Sequence, residues 1–108
     1  MTTENRYSAA RDKYFAENPN ALRQIESVSA SVIEAVGMTV AEYRDQQRCV
    51  VFAEAAKTRG IEVDEFVIRL MAESPEQANT WRLDRHREMA NTLGIPWEEY
   101  KALNRISE

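Results

Sequence analysis

The chain has few of the residues that build most catalytic and metal sites. Its 108 residues include one cysteine and one histidine. A single cysteine cannot form an internal disulfide, and one histidine beside one cysteine lacks the ligand spacing of a metal site. The sequence also lacks a Gly-rich phosphate loop and the Glu-x-x-His pair of a di-iron bundle. We therefore predict no catalytic residue, no metal and no cofactor, and expect a protein that is not an enzyme.

The lone cysteine stands in an apolar run, Cys49 to Ala53. A thiol in such surroundings is typical of a small buried hydrophobic side chain rather than an activated nucleophile. Catalysis by a Cys-His dyad would require Cys49 to meet His86, and nothing in their spacing indicates this. We expect Cys49 to be buried and unreactive.

Long apolar runs and blocks of one charge are also missing. No stretch approaches the roughly 18 apolar residues of a membrane span, and residues 1–6 lack the apolar core of a signal peptide. The net charge is −4, from 14 basic and 18 acidic residues spread evenly along the chain. We expect no contact with a membrane and a cytoplasmic location. Binding to nucleic acid is disfavoured, because no segment forms a basic footprint.

The few glycines mark corners between helices. One pattern recurs three times: Gly, an apolar residue, any residue, an apolar residue, any residue, Glu, then an aromatic residue. It spans 37–43, 60–66 and 94–100. A glycine just past a helix end can adopt the left-handed conformation that closes the last turn, and the apolar residue after it packs back on that helix. The fold class is therefore all-α: a compact bundle of five or six short helices joined by Gly-terminated corners.

Capping signals and apolar periodicity place six helices. Asn18 followed by Pro19 opens the second, and capping boxes at Thr39 and Ser74 open the third and fifth. The third helix is apolar most of the way round, which indicates a central position. No linker divides the chain, so we predict one domain over 1–108. The predicted helices are 3–17, 19–36, 39–59, 63–73, 75–93 and 96–106.

The chain also shows signs of an internal repeat. Asn18-Pro19 lies 18 residues before Gly37, and Ser74-Pro75 lies 19 residues before Gly94. A duplicated helical hairpin explains this spacing. Capping signals that recur independently, because short helices need them, also explain it, and we favour this explanation because few residues match.

Four residues stand out as candidate interaction sites. Arg82 falls near the middle of the apolar side of the fifth helix, with His86 one turn further on. An Arg there pairs with a carboxylate inside the domain or meets an anionic partner group. Trp97 and Tyr100 share one side of the last helix, and an aromatic side that is not fully packed is typical of a docking surface.

Three hypotheses for function follow. The first is a non-enzymatic protein-protein interaction or regulatory module that binds an unknown protein partner or forms a homodimer. The second is a helix-turn-helix DNA-binding regulator, because Ala56, Gly60 and Phe66 have the spacing of that motif. Its second helix, however, begins with acids that would meet phosphate. The third is a small acidic inhibitor of a nucleic-acid-binding machine, against which the even spread of charge argues.

Five stretches in the C-terminal part of the chain form a recognisable pattern: 72–76 (Ala-Glu-Ser-Pro-Glu), Arg82-Leu83, 86–90 (His-Arg-Glu-Met-Ala), 93–100 (Leu-Gly-Ile-Pro-Trp-Glu-Glu-Tyr) and Leu103-Asn104. Through them the chain, over about residues 72–104, resembles a family of small bacterial proteins classed only as a domain of unknown function. The resemblance implies a bacterial, cytosolic, helical protein. It implies no activity and no functional residue.

Overall fold

The structure is a computed structural model that describes residues 3–107, and in this part of the chain all regular secondary structure is helical. The all-α prediction is confirmed, with seven helices rather than five or six among these residues. They are α1 (Thr3–Glu17), α2 (Pro19–Glu26), α3 (Ala30–Ala35), α4 (Val40–Thr58), α5 (Val63–Met71), α6 (Pro75–Leu93) and α7 (Trp97–Asn104).

The contacts between these helices divide the chain into two compact units. The first unit is Met1–Met71 and includes α1 to α5, and the second is Ala72–Glu108 and includes α6 and α7. The single domain over 1–108 stays a prediction, and we describe each unit by itself.

Two of the predicted caps start helices as expected. The Thr39 side chain accepts a hydrogen bond from the backbone N–H of Glu42 at 3.1 Å, which opens α4. The Ser74 side chain accepts one from the N–H of Gln77 at 3.1 Å, with Pro75 at the first position of α6. Each bond satisfies an amide that lacks a partner inside its own helix.

The three glycine corners share one hydrogen-bond arrangement. At the end of α4, the N–H of Gly60 bonds to the Lys57 carbonyl and that of Ile61 to the Ala56 carbonyl. This pair of bonds is the Schellman arrangement, which needs a left-handed residue at the turn. The same bonds recur at Gly37 and Gly94, and the three glycines have φ angles of 84°, 71° and 70°. The three corners therefore share one backbone structure as well as one sequence pattern.

The predicted second helix is wrong as a single element, since it divides at Ser27–Ser29 into α2 and α3. Ser27 donates from its hydroxyl to the Gln24 carbonyl at 2.6 Å, and Ser29 caps α3 by accepting from the N–H of Val32 at 3.4 Å. Serine side chains compete in this way with the helical hydrogen bonds of the backbone.

The break also changes which side of the helix is buried. A single continuous helix would place Ile25, Val32 and Val36 on one apolar side, but of these three only Ile25 is buried. Val32 and Val36 are 57% and 68% exposed, and Ile33 is buried instead. The interruption resets the helical phase, so the 3.6-residue period cannot be extended across it.

Asn18 does not cap α2 through its side chain, contrary to prediction. Its amide nitrogen donates to the Tyr14 carbonyl at 2.8 Å and so satisfies the end of α1. Pro19 does occupy the start of α2 as predicted, where its missing N–H costs nothing.

The core of the first unit is built around α4. This helix contacts α1, α2, α3 and α5. It corresponds to the third helix of the sequence analysis, and its predicted central position is confirmed within this unit. Phe52 is fully buried, stacks on Phe66 with ring centroids 4.9 Å apart, and meets Tyr7 and Tyr14 edge-on at 5.6 and 5.8 Å. These geometries are the favourable ones for aromatic pairs.

The second unit is a pair of helices joined by the corner at Gly94. Its buried side chains are Ala78 and Ala90 on α6 and Tyr100 on α7. In the repeat hypothesis, α6 corresponds to the stretch that divides into α2 and α3. One copy is therefore continuous and the other broken, and the duplication stays a hypothesis.

Candidate functional site

One face of α6 carries two of the four candidate residues, Arg82 and His86. Arg82, His86, Met89 and Leu93 follow one another at spacings of four, three and four residues, so they form a single stripe along the helix. The cap at Ser74 and the corner at Gly94 fix both ends of α6. We call these four residues the α6 stripe.

Arg82 is half-buried. Its Nη1 donates to the side-chain oxygen of Asn79, one turn earlier on α6, at 3.1 Å. The interaction is with an amide on the same helix, which holds the guanidinium along the helix surface. The internal carboxylate partner expected for Arg82 stays a prediction.

His86 connects the two helices of the unit. Its Nδ1 lies 3.0 Å from the hydroxyl of Tyr100 on α7. When the hydroxyl donates to Nδ1, the proton of the neutral imidazole is on Nε2. Nε2 is then the ring nitrogen that can donate to another group.

Arg82 and His86 line a cleft of about 460 Å³. The helical spacing of Asn79, Arg82, Leu83 and His86 brings them to one side of α6, and the end of the chain supplies the rest. The described lining residues are Asn79, Arg82, Leu83, His86, Ile106 and Ser107. They combine a guanidinium, an imidazole, an amide and a hydroxyl with two aliphatic side chains.

Trp97 and Tyr100 do stand together on α7, with ring centroids 5.8 Å apart and planes 16° from parallel. Tyr100 is only 6% exposed, so it does not belong to an exposed aromatic surface, and its role in an interaction stays a prediction. Trp97 is half-buried, with the guanidinium of Arg87 5.2 Å and the ammonium of Lys101 5.7 Å from its ring centroid. The hydroxyl bond to His86 explains why Tyr100 faces α6.

Sequence reasoning missed the exposure of Met89 and Leu93. Both lie on the apolar side of the helical wheel, yet they are 44% and 58% exposed. Within its unit α6 has a single neighbouring helix, α7, which covers only part of that side. Ile106 and Ser107 were also missed as cleft residues, because only the turn after α7 brings them back toward α6.

A second polar cluster lies in the first unit, between α1 and α4. The Nη1 of Arg11 donates to the sulfur of Cys49 at 3.1 Å and lies 3.3 Å from a carboxylate oxygen of Asp45. The same oxygen lies 3.8 Å from Arg48. Cys49 is half-buried beside a cation, so the prediction of an apolar environment for its thiol is wrong.

Tyr7 belongs to the same cluster. Burial, and then a hydrogen bond to Cys49, raise the pKa of Tyr7 to about 12, and the nearby Arg11 opposes this only in part. For Arg11, burial lowers the pKa of the guanidinium, but the interactions with Cys49, Asp45 and Tyr7 outweigh it and raise that pKa overall. The cluster therefore stabilises a protonated phenol and a charged guanidinium.

The residues of the helix-turn-helix spacing occupy the expected positions around the corner between α4 and α5. Ala56 and Phe66 are 1% and 4% exposed, and Gly60 makes the turn. The first turn of α5 carries Asp64 and Glu65, so the end that would approach DNA is acidic.

Two features are absent from residues 3–107. Within this part of the chain, no three His, Cys, Asp or Glu side chains are grouped so that they could hold a metal ion. None of the helices here has the length and apolar character needed to cross a membrane.

Together the fold and the cleft define an all-helical protein with a mixed polar and apolar cleft in its C-terminal unit. The chain belongs to a family of unknown function (DUF6388), whose profile matches residues 1–106. The resemblance to a domain of unknown function is thus confirmed, and the match extends over both units. No curated protein and no solved structure matches the chain.

Proposed function

We propose that the protein is a non-enzymatic protein-protein interaction module that binds its partner through the α6 stripe. The observation that carries the proposal is the exposure of Met89 and Leu93, 44% and 58%, one turn apart on a single helix face. Large apolar side chains that stay in water at this spacing are the anchors of helix-in-groove recognition.

The energetics support the stripe as an anchor. Burying apolar surface contributes about 25 cal/mol per Å², and a few buried anchors supply most of the binding energy of an interface. Methionine adds adaptability, because its unbranched chain fits irregular surfaces. Arg82 and His86 continue the stripe with polar groups that would fix the orientation of a partner.

The experiment compares two matched pairs of substitutions. Met89→Gln with Leu93→Gln removes the anchors of α6. Val32→Gln with Val36→Gln removes an exposed pair of the same spacing in the other unit, on α3 and at its C-cap. Light scattering measures self-association, and quantitative capture from a bacterial lysate measures binding of other proteins. Unchanged far-ultraviolet circular dichroism shows that the variants are folded.

The expected result is that the α6 pair abolishes the association and the α3 pair leaves it unchanged. Loss confined to self-association would identify a homodimer. Association that survives the α6 pair, or that both pairs reduce equally, would contradict the proposal.

One observation favours a second candidate, a helix-turn-helix DNA-binding regulator. Ala56 and Phe66 are buried on either side of the turn at Gly60, as that motif requires. This function needs binding to duplex DNA at moderate salt, and Arg69→Ala should weaken it, since the Arg69 side chain is 58% exposed on α5. An absence of DNA binding would exclude it.

We place the protein in the bacterial cytoplasm, as the resemblance implies. Fractionation of the native host with an antibody against the protein tests this location. Recovery with the membrane or periplasmic fraction would contradict it.

A further inference from the structure

We propose that a pocket in the first unit binds a free α-amino acid with an aliphatic side chain. The pocket lies where α1, α2 and α4 meet, since each of these helices contacts the other two. Its volume is about 320 Å³, near the lower end of the range of small-molecule sites. The described lining residues are Arg11, Asp12, Phe15, Ala16, Leu22 and Arg48.

The pocket presents charged groups of both signs on different sides. Arg11 and Arg48 supply guanidinium groups, and Asp12 supplies a carboxylate. Arg11 faces α4, where its Nη1 meets Cys49 and Asp45. Successive residues of a helix project about 100° apart, so Asp12 is turned away from α4. The positive groups therefore lie toward α4 and the negative group lies on the outer side of α1.

Arg48 is the guanidinium that a ligand can reach. Its side chain is 34% exposed, and its Nη2 lies 3.8 Å from Oδ1 of Asp45. This distance is too long for a hydrogen bond, and the same oxygen lies closer, at 3.3 Å, to Nη1 of Arg11. Arg48 can therefore donate to a second carboxylate, and its planar fork matches both oxygens of that group.

Arg11 adds a second cation to the same side. Its Nη1 is held by Cys49 at 3.1 Å and by Asp45 at 3.3 Å. Its Nε is a buried donor that has no hydrogen-bond partner among residues 3–107, and such donors call for an explanation. Two guanidinium groups share the carboxylate of Asp45, which favours a further carboxylate beside them.

Asp12 extends the selection to a ligand with two charges. Asp12 is exposed on α1, so an ammonium group can approach its carboxylate. A simple organic acid would be attracted by Arg48 and repelled by Asp12, and a simple amine would meet the reverse. An amino acid gains at both ends, with its carboxylate toward Arg48 and its ammonium toward Asp12. The pocket therefore favours a zwitterion.

The apolar part of the pocket limits the side chain of the ligand. Phe15 of α1 is 4% exposed and Leu22 of α2 is half-buried. Their rings and methyl groups offer a surface for a chain of a few carbons, such as that of leucine. The inference goes beyond the proposed function and does not depend on it, because the pocket and the α6 stripe lie in different units.

The test is an NMR titration of the whole ¹⁵N-labelled chain with leucine. Three probes each lack one part of this ligand: leucinamide the carboxylate, 4-methylpentanoate the ammonium, and glycine the side chain. We expect saturable shifts at the amides of Asp12, Phe15, Leu22 and Arg48, with a dissociation constant of about 1 mM for so small a ligand. Each of the three probes should bind about tenfold more weakly.

Matched variants connect each end of the ligand with one residue. Arg48→Gln should weaken leucine binding about tenfold and leave leucinamide unchanged, because that probe has no carboxylate. Asp12→Asn should weaken leucine to a similar degree and bind 4-methylpentanoate at least as tightly as before, because the repulsion is removed. Arg23→Gln and Glu17→Gln remove exposed charges of α2 and α1 and should leave leucine binding unchanged. Unchanged far-ultraviolet circular dichroism shows that each variant is folded.

If Arg48→Gln does not fold, Arg48→Lys keeps the charge without the planar fork and should still weaken leucine more than leucinamide. Leucine that binds no more tightly than 4-methylpentanoate or leucinamide would overturn the proposal. Leucine binding that survives both Arg48→Gln and Asp12→Asn, or an absence of saturable shifts, would overturn it as well. None of these measurements involves α6, so the failure of this proposal is distinguishable from that of the proposed function.

Discussion

The Nδ1 of His86 lies 3.0 Å from the hydroxyl of Tyr100, and this hydrogen bond joins α6 to α7 across 14 residues of chain. It links a residue that lines the cleft to the most buried side chain of α7, since Tyr100 is 6% exposed. The packing of the second unit and the chemistry of its cleft therefore depend on the same pair.

Removing the hydroxyl should destabilise the second unit measurably. We expect Tyr100→Phe to lower the free energy of unfolding by about 1 kcal/mol, the usual net contribution of one hydrogen bond. Urea unfolding followed by tryptophan fluorescence reports this unit, because both tryptophans, Trp81 and Trp97, lie within it. In a His86→Gln background the same change should cost less, and an undiminished cost would show that the hydroxyl acts through another contact.

The features that were predicted correctly from sequence depend only on residues within one or two turns of helix. The caps at Thr39 and Ser74 and the corner at Gly94 each depend on a few neighbouring residues, and all three formed as expected. Their energetics are local, so a pattern of residue types is enough to identify them.

The features that sequence missed depend on competition or on tertiary neighbours. Ser27 and Ser29 divide a stretch whose apolar period looks continuous, because their side chains compete with the helical backbone. The burial of Tyr100 and the cationic environment of Cys49 each need a partner from a distant helix. Arg82 and His86 were singled out from the helical wheel alone, but the cleft they line requires the turn at Arg105 that returns Ile106 toward α6.

That turn repeats the glycine corner without a glycine. Arg105 has a φ angle of 54°, and the N–H of Ile106 bonds to the Lys101 carbonyl at 2.9 Å, as at the other three corners. A residue with a Cβ is strained in this conformation by about 1 kcal/mol. We expect Arg105→Gly to stabilise the second unit by about 0.5 to 1 kcal/mol, measured by the same urea unfolding.

Two controls accompany the Arg105 prediction. Arg105→Ala removes the charge and keeps the strain, so it should give no gain in stability. Gly94→Ala places a side chain at a φ angle of 70° where a Cβ would meet no atom within 4 Å. Its cost, about 1 kcal/mol, should therefore be purely conformational. A gain from the alanine at position 105 as large as that from glycine would show that charge, not strain, explains the effect.

The first unit should lose stability at alkaline pH because of Tyr7. Burial and the bond to Cys49 raise the pKa of Tyr7 from the ordinary 10.0 to about 12 in the folded protein. A group whose pKa is raised by folding contributes stability below its unfolded value and loses it as the pH rises to the folded value. We expect this contribution to be intact below pH 10 and to disappear as the pH rises from 10 through about 12.

Two measurements check the behaviour of Tyr7. Absorbance at 295 nm, which follows tyrosinate, should show one late phase that is missing from the Tyr7→Phe variant. Urea unfolding followed by circular dichroism should depend less on pH between 10 and 12 in that variant. A late phase that persists without Tyr7 would assign the raised pKa to another tyrosine.

The stability of the first unit should depend more on the buried ring of Phe52 than on exposed side chains of the same helix. Phe52 is fully buried and contacts three other aromatic rings, whereas Val50, two residues earlier on α4, is 46% exposed. We expect Phe52→Ala to lower the free energy of unfolding by about 3 to 5 kcal/mol, through lost burial and a residual cavity. Val50→Ala on the same helix should cost less than about 0.5 kcal/mol.

If Phe52→Ala does not fold, Phe52→Leu keeps most of the volume and should still cost more than the valine substitution. Equal costs for Phe52→Leu and Val50→Ala, measured by circular dichroism in urea, would show that the aromatic cluster does not carry the stability of this unit.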